Sequence, residues 1–390
     1  MPQPSFRSFI GVAKDSVNTT LSAATAAGAT SIPIVGTSVP ASYTIFFVDG
    51  PNSESRAVTA GGGTSTLTVS ATTYAHNANT YIYAQATASI GPTDYFPITA
   101  LEFHDVYQQL DDKGYRGSAV EQYNRVQGAV NSEITLGGDL YTDTIGYLLG
   151  GVFGATDYTG GTPNTHAFSV KNTSDTQPTP FVLYDFDVVN TRSFAGSKID
   201  ELAFKLDPAG LVTWTAKARG YTSGVVATPT QSYSTVNASP AWQASATIGG
   251  TAVLTVVTAD ITIKRQVAPI WTLQGIQNPY KIFLGPLVAT GKLVIVMEDD
   301  TQLLNYLQAS QPSLDLTLTN GTGATQQYFQ IHSTKCNYDD AIPKQVGKPY
   351  IELEVPFTML ANTTDATVAG TGYSPCKVTI KNTKASGTWQ

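Results

Sequence analysis

By residue type, three acidic clusters come nearest to catalytic chemistry: Asp111-Asp112, Glu298-Asp299-Asp300 and Asp339-Asp340. Two carboxylates flanking a glycosidic bond can serve as acid and nucleophile or base. The Glu298 group, however, stands just before a helical signal, where acids suit the positive end of the helix dipole. The other two pairs lie in loop-like surroundings, so all three are read as structural. Gly285…Gly291-Lys292 approaches a phosphate-binding loop but has five residues between its glycines and Leu293 where Ser or Thr should hold magnesium. No Gly-x-Ser-x-Gly elbow occurs. His76, His104, His166 and His332 are scattered, with no second His or Cys at metal-ligand spacing. Cys336 and Cys376 are read as small buried residues, since two distant cysteines make no disulfide framework. Neither an enzyme nor a cofactor is expected.

The elements that would position any site are mostly strands. Runs rich in Val, Ile, Thr, Tyr and Phe, such as Tyr43–Val48, Thr66–Val69, Ile134–Leu136, Phe181–Phe186, Glu201–Leu206, Leu293–Met297 and Tyr350–Val355, alternate with Gly, Pro, Asn and Asp. Two helical stripes interrupt them. Thr142 precedes Ile145, Leu148, Leu149 and Val152, and Thr301 precedes Leu303, Leu304 and Leu307, each Thr standing where an N-cap is wanted. Thr142 and Tyr147 recur 159 residues later as Thr301 and Tyr306, and Ile134 and Leu136 as Leu293 and Ile295. Past the helices the offset becomes 151, setting Glu201 and Leu202 on Glu352 and Leu353. Strand, capped helix and strands in the same order twice predict an internal duplication.

Composition narrows the class further. Of 390 residues, 42% are hydrophobic, enough for real cores, but only 13% are charged, about half the usual share. Surfaces of Thr, Ser, Ala and Tyr suit extensive subunit contact, because they are cheaper to bury than Lys or Glu. A net charge of −7 argues against a phosphate-gripping surface. The first residues lack a signal peptide's apolar core, and no apolar run reaches the roughly 20 residues that span a bilayer. A protein made and kept in a cytoplasm is expected, with no membrane partner.

Residues 18–87 stand apart: Arg56 is the one Lys or Arg between Asn18 and Thr87, among many Ala and Thr. The stretch Phe6–Ser16 resumes near Ile90 with Gly91-Pro92-Thr93. The block reads as a small β domain inserted into a loop, with an ordinary N-terminal β domain as the alternative.

Several segments then resemble tail tube proteins of long-tailed, siphovirus-type bacteriophages, in particular the actinophage-like tube family. They are Phe6-Arg7-Ser8-Phe9-Ile10-Gly11-Val12-Ala13-Lys14, Tyr95-Phe96-Pro97-Ile98, Asp112-Lys113-Gly114-Tyr115-Arg116-Gly117-Ser118, Gln127-Gly128 and Gly137-Gly138-Asp139. Thr262-Ile263-Lys264-Arg265-Gln266, Pro279-Tyr280, Gly291-Lys292-Leu293 and Met297-Glu298-Asp299-Asp300 are similar as well. The resemblance covers residues 1–16 and 90–360, not the inserted block. It implies a virion protein that self-assembles into stacked rings, the channel for DNA ejection. Its implied partners are other copies of itself, the tape measure protein, and the tail terminator and distal tail proteins. Phage DNA would pass without specific binding. A receptor-binding tail fibre or β-rich surface adhesin is the alternative.

The expected fold is mostly β: two tandem tube-type β-sandwich or barrel units, each with a flanking helix, plus the small inserted β domain. The chain divides into an N-terminal arm (1–17), the insert (18–87), a first unit (88–222), a connecting loop or hairpin (223–255), a second unit (256–360) and a C-terminal arm (361–390). If the repeat is real, rings contain three chains in pseudo-six-fold array; otherwise they contain six. Glu133, Glu201 and Glu352 are candidates for the channel wall, where carboxylates would repel DNA phosphates, with an outer or interface face as the alternative. Asp111, Asp112, Lys113, Tyr115 and Arg116, in the segment Gln108–Arg125, are candidates for contacts between rings. The strand-like Lys377–Ile380 is expected to add to a neighbour's sheet edge.

Overall fold

The β-branched and aromatic runs become strands almost throughout, because alternate side chains find a core on one face of each. The structure, a computed structural model, describes residues 9–86, 90–114, 116–173, 175–186, 189–345, 347 and 349–389. Strand β1 (Phe9–Lys14) leads into six short strands: β2 (Asn18–Thr20), β3 (Ser31–Pro33), β4 (Thr44–Val48), β5 (Glu54–Ala60), β6 (Thr66–Val69) and β7 (Tyr81–Gln85). Then come β8 (Asp94–Phe96), a long hairpin of β9 (Ala100–Asp112) and β10 (Asn124–Asp139), and helix α1 (Gly146–Phe153). A short hairpin, β11 (Gly154–Thr159) and β12 (Asn164–Val170), precedes β13 (Phe181–Phe186), β14 (Thr191–Leu206), β15 (Thr213–Gly220) and β16 (Gly224–Val226). After β17 (Ala244–Ile248) and β18 (Thr251–Ala252) a second long hairpin follows, β19 (Val256–Ile270) and β20 (Lys281–Val296), then helix α2 (Thr301–Leu307). The chain ends with β21 (Leu314–Asn320), β22 (Gln327–Ser333), β23 (Cys336–Tyr338), β24 (Ile342–Lys344), β25 (Glu352–Met359) and β26 (Lys377–Asn382). The protein is mostly β, as its residue pattern predicts.

Three sheets result. The largest contains the run β9-β10-β15-β14-β19-β20-β25, with β23 and β24 end to end along the outer side of β25. A seven-stranded sheet, β11-β12-β26-β22-β21-β17-β18, contributes Phe168, Leu316, Phe329, Ile331, Val378 and Ile380 to the main core. Ile134, Leu202, Leu293 and Leu353 enter that core from the large sheet. All eight residues of α1 are buried, and Gly146 is needed because a Cβ there would lie 2.5 Å from the Trp389 ring.

The two halves of the large sheet match element by element. Strands β10 and β20 have 16 residues each at an offset of 157, Asn124 to Lys281 and Asp139 to Val296. Each carries a bulge at the same place: Gln127–Val130 faces Gln109–Tyr107, and Leu284–Leu287 faces Val267–Arg265. Strands β15 and β25 have eight residues each at an offset of 139, Thr213 to Glu352 and Gly220 to Met359. Beside them Lys198, Ile199, Ala203 and Lys205 correspond to Asn337, Tyr338, Ile342 and Lys344, again at 139, with one bulged residue in each.

This corrects the alignment read from sequence. The bulges set the offset of the long strands at 157 and not 159, a two-residue shift that keeps every side chain on its face. Glu201 corresponds to Asp340, not to Glu352, because β25 occupies the place of β15 and not of β14. The helix caps also differ. Residues 141–145 form a turn before α1, and Thr142 Oγ1 is buried without a partner. At α2 the Thr301 N–H donates to Asp299 Oδ1 at 2.9 Å, so the acid does the capping. Finally, β26 is no free arm: it pairs with β12 on one side and β22 on the other within the same chain, because Val378, Ile380 and Trp389 are needed in its core.

Strands β2–β7 form the third sheet, with their own core of Leu21, Ile32, Ile45, Phe47, Leu67 and Ile82. β1 and β8 bracket this sheet in sequence and pair antiparallel in space, Ile10 opposite Phe96. At the junction the buried Asp15 accepts from Tyr81 Oη at 2.7 Å and from the Gly196 N–H at 3.0 Å, and burial pushes its carboxyl up to about 6. Inside the block His76 stacks on Phe47 at 4.4 Å and meets Asp49 at 2.8 Å through Nδ1 and Glu54 at 2.9 Å through Nε2. With a carboxylate at each nitrogen the ring is an imidazolium. Burial alone would lower its pKa, but the two carboxylates raise it; Glu54, although desolvated, is held low by Thr73, His76 and Arg56.

The raised His76 value gives stability that is full below the unfolded imidazole value and lost as pH rises through the folded one; the lowered Glu54 value gives stability lost as pH falls. As pH rises, the raised Asp15 carboxyl removes stability mainly below about pH 6. The signature of His76 is therefore a further decline in hydrogen-exchange protection of residues 18–85, corrected for intrinsic rate, as pH rises past about 6.5, the unfolded imidazole value. In His76→Gln the decline should vanish. A wild-type profile that stays flat above about pH 6.5 would refute the imidazolium.

Candidate functional site

Because side chains alternate along a strand, burying Ile134, Ala216, Ala218, Leu202, Ile261, Ile263, Leu293 and Leu353 fixes the opposite face of the large sheet. That open face carries Glu133, Lys217, Arg219, Glu201, Asp260, Lys264, Lys292, Glu352 and Glu354. Pairing in register turns these into a ladder of alternating charge. Arg219 meets Glu133 at 3.3 Å. Glu201 lies between Lys217 at 3.0 Å and Lys264 at 3.2 Å. Asp260 stands opposite Lys205 on one side and Lys292 on the other. Glu354 pairs with Lys292 at 3.6 Å and with Lys344.

Electrostatics follow from the pairing. Partial burial would raise the Glu201 carboxyl, but hydrogen bonds and charge from Lys217 and Lys264 hold it below the ordinary value. The Lys344 ammonium does the same for Glu354. The three glutamates singled out from sequence thus share one face, with Glu352 at the start of β25 opposite Lys344. The surface around them is a mixed ladder, however, and not the bare carboxylate array expected. Sequence reasoning missed its cations, although Thr213-Trp214-Thr215-Ala216-Lys217-Ala218-Arg219, with polar and charged residues at every second position, carries the signal.

The second candidate surface is the tip of the β9–β10 hairpin. Asp111 accepts from Arg125 Nε at 2.7 Å and from Gln122 Nε2 at 2.9 Å. Asp112 pairs with Arg116, whose guanidinium lies 4.8 Å from the Tyr123 ring centre, and Lys113 meets Glu121 at 3.1 Å. These charges brace the tip internally while leaving its outer atoms exposed. Tyr115 lies outside the described residues. Beside it, the second hairpin is tied to the first where Val130 N–H donates to Gln277 O and Gln277 Nε2 donates to Gln127 O, both at 3.1 Å. Sequence reasoning did not single out this second tip, whose Trp271, Leu273 and Tyr280 are exposed.

Among the described residues no group of three His, Cys, Asp or Glu side chains is arranged to hold a metal, and no helix is long and apolar enough to cross a membrane. Lys292, part of the phosphate-loop look-alike, sits inside β20. What the molecule offers instead is surface: an extended sheet with a charge-paired open face and two projecting hairpins. Residues 109–359 match the phage tail tube protein family. The chain belongs to that family. The matched span begins in β9 and ends with β25, so it takes in both halves of the large sheet. No curated protein matches the chain. A tail tube protein is a structural component of the bacteriophage.

Replacing Glu201 by Gln removes two pairs whose lysines are more than half exposed, so it should cost no more than about 1 kcal/mol in urea unfolding near neutral pH. Since the folded carboxyl is lowered, its contribution is present above the unfolded value and disappears as pH falls through the folded one. The wild type should therefore lose its advantage over Glu201→Gln in acid. An advantage that does not shrink as pH falls below about 4.3, the unfolded value, would contradict the ion-pair account.

Proposed function

We propose that this chain is the major tube protein of a siphovirus-type tail, forming rings of three copies that stack around the channel through which DNA leaves. The observation that carries the stoichiometry is the in-register equivalence of the two halves of the large sheet, which gives each chain two similar modules. Three chains then present six modules. The division into arm (1–17), insert (18–87), units (88–222 and 256–360), connector (223–255) and C-terminal segment (361–390) belongs to this reading.

In it the open face lines the channel, with Glu133, Glu201 and Glu352 turned inward. Duplex phosphates adhere where they displace counterions from free Lys or Arg. Here Lys217, Lys264, Lys292 and Arg219 are already engaged by carboxylates, so the wall offers phosphate few unpaired cations. Passage without binding, not bare repulsion, is the physical role. The β9–β10 tip, with Asp111, Asp112, Lys113, Tyr115 and Arg116, reaches the next ring, and the insert stands on the outside. The tube would enclose the tape measure protein, end on the terminator and distal tail proteins, and be assembled in the host cytoplasm. No reaction or cofactor is part of the proposal.

Electron microscopy of the purified protein at high concentration should give hollow tubes of uniform width with three chains per ring; discrete monomers under all conditions would end the reading. Replacing residues 113–123 by a short turn should leave subunits folded, by circular dichroism, but unable to polymerise, and normal tubes would refute the axial role. Excising residues 18–87 and joining the flanks should give tubes of smaller outer diameter and unchanged bore. Loss of tubes by a folded excision variant would move the insert into the ring.

A further inference from the structure

The chain contains one complete junction between its two modules. Strand β14 of the first half pairs antiparallel with β19 of the second, setting Ala203 opposite Thr262, Phe204 opposite Ile261 and Lys205 opposite Asp260. Outside this junction each half has a margin. Among the described residues, β9 pairs only with β10, and β24 only with β25. Pro343 brings no N–H to a ladder, so it marks β24 as an edge within the chain, and a strand added there forgoes that one bond. By the equivalences above, β24 is the second half's counterpart of the end of β14. At an offset of 158 fixed by the shared bulge, β9 is the first half's counterpart of β19.

From these two correspondences we infer that β24 of one copy adds antiparallel to β9 of a neighbouring copy in the register of the internal junction: Ile342 opposite His104, Pro343 opposite Phe103 and Lys344 opposite Glu102. The inference rests on the ring reading and names the contact that closes it. Charge supports this register independently of backbone geometry. The internal junction sets Lys205 against Asp260, and the inferred one sets Lys344 against Glu102, an ammonium facing a carboxylate in both. The neighbouring position likewise matches in face, with His104 and Thr262 both on the open side. Glu102 and His104, 3.9 Å apart, have side chains 72% and 50% exposed and so accessible to a further partner. A slip of one residue would set Phe103 beside an outward-facing position of β24 and separate Lys344 from Glu102.

Directly opposed residues of an antiparallel pair have Cα atoms about 4.5–5.5 Å apart, within disulfide reach. The chain's own cysteines are both buried, so they do not compete. Tubes of His104→Cys/Ile342→Cys, oxidised and run on a non-reducing gel, should give a covalent ladder that stops at the number of chains in a ring. The control Gln108→Cys/Ile342→Cys, displaced by four residues along β9, should cross-link at least about tenfold less. Should the cysteines hinder assembly, charge at Glu102 gives the readout: Glu102→Lys should abolish tubes, whereas Glu102→Asp should retain them. Tubes that form but cross-link no better than the control, or normal tubes from Glu102→Lys, overturn this register while leaving the tube intact. A wild type that never forms tubes overturns the ring reading instead.

Discussion

A β-sheet ends wherever a strand has a neighbour on one side only, and the backbone groups on its other side must find water or another strand. Here that condition recurs at both margins of a sheet built from two equivalent halves. Between the halves it is met internally, by six residue pairs from Glu201–Lys264 to Leu206–Ala259. At the margins it is met by whatever the sheet encounters. Charge and proline along an edge are the usual devices against indiscriminate association, and both margins carry them: Pro343 and Lys344 in β24, Glu102 and Asp105 in β9.

The open face obeys a second constraint. A strand whose core-facing positions are Ala216 and Ala218 or Ile261 and Ile263 leaves its alternate positions to solvent, and on this sheet those positions hold charge of both signs. Like charges directly opposite one another destabilise a sheet, whereas opposite ones contribute roughly 0.2–1 kcal/mol per pair. Glu201 between Lys217 and Lys264, and Asp260 between Lys205 and Lys292, satisfy that rule across four adjacent strands. The ladder is thus first a solution to strand pairing.

Much of this was legible in the residues, and the losses have definite causes. Alternation announced the strands, and the interrupted Phe6–Ser16 segment announced a block whose flanks, β1 and β8, meet in space. The duplication was visible in the helical stripes but misaligned past them. Ile-Asp-Glu at Ile199–Glu201 and Tyr-Asp-Asp at Tyr338–Asp340 are the true counterparts, and they were hidden because the second strand is split into β23 and β24. The cations of the open face went unnoticed for a different reason. Which cation meets which carboxylate depends on register across strands, with partners as far apart as Glu133 and Arg219, and local pattern does not encode it. Nor did local pattern place β26, whose partners β12 and β22 come from opposite halves.

That strand shows why the two halves are not separable domains. β26 lies between hairpins β11–β12 and β21–β22, and Trp389 beyond it packs against α1, with Tyr147 5.0 Å away edge-on. Arg265 of the second half is buried and donates to the carbonyl of Val152 at the end of α1 in the first, where a cation suits the helix dipole. The second helix has no such cover; none of α2 is buried, and Leu307 is 66% exposed. The halves have therefore diverged in their surroundings while keeping strand lengths, bulges and register where they pair. Conservation of the pairing geometry, and not of the packing behind it, is what a repeated edge-to-edge junction requires. In the proposed ring of three chains every second junction is intramolecular and needs no encounter between subunits, so closure takes about two association steps where six single modules would take about five.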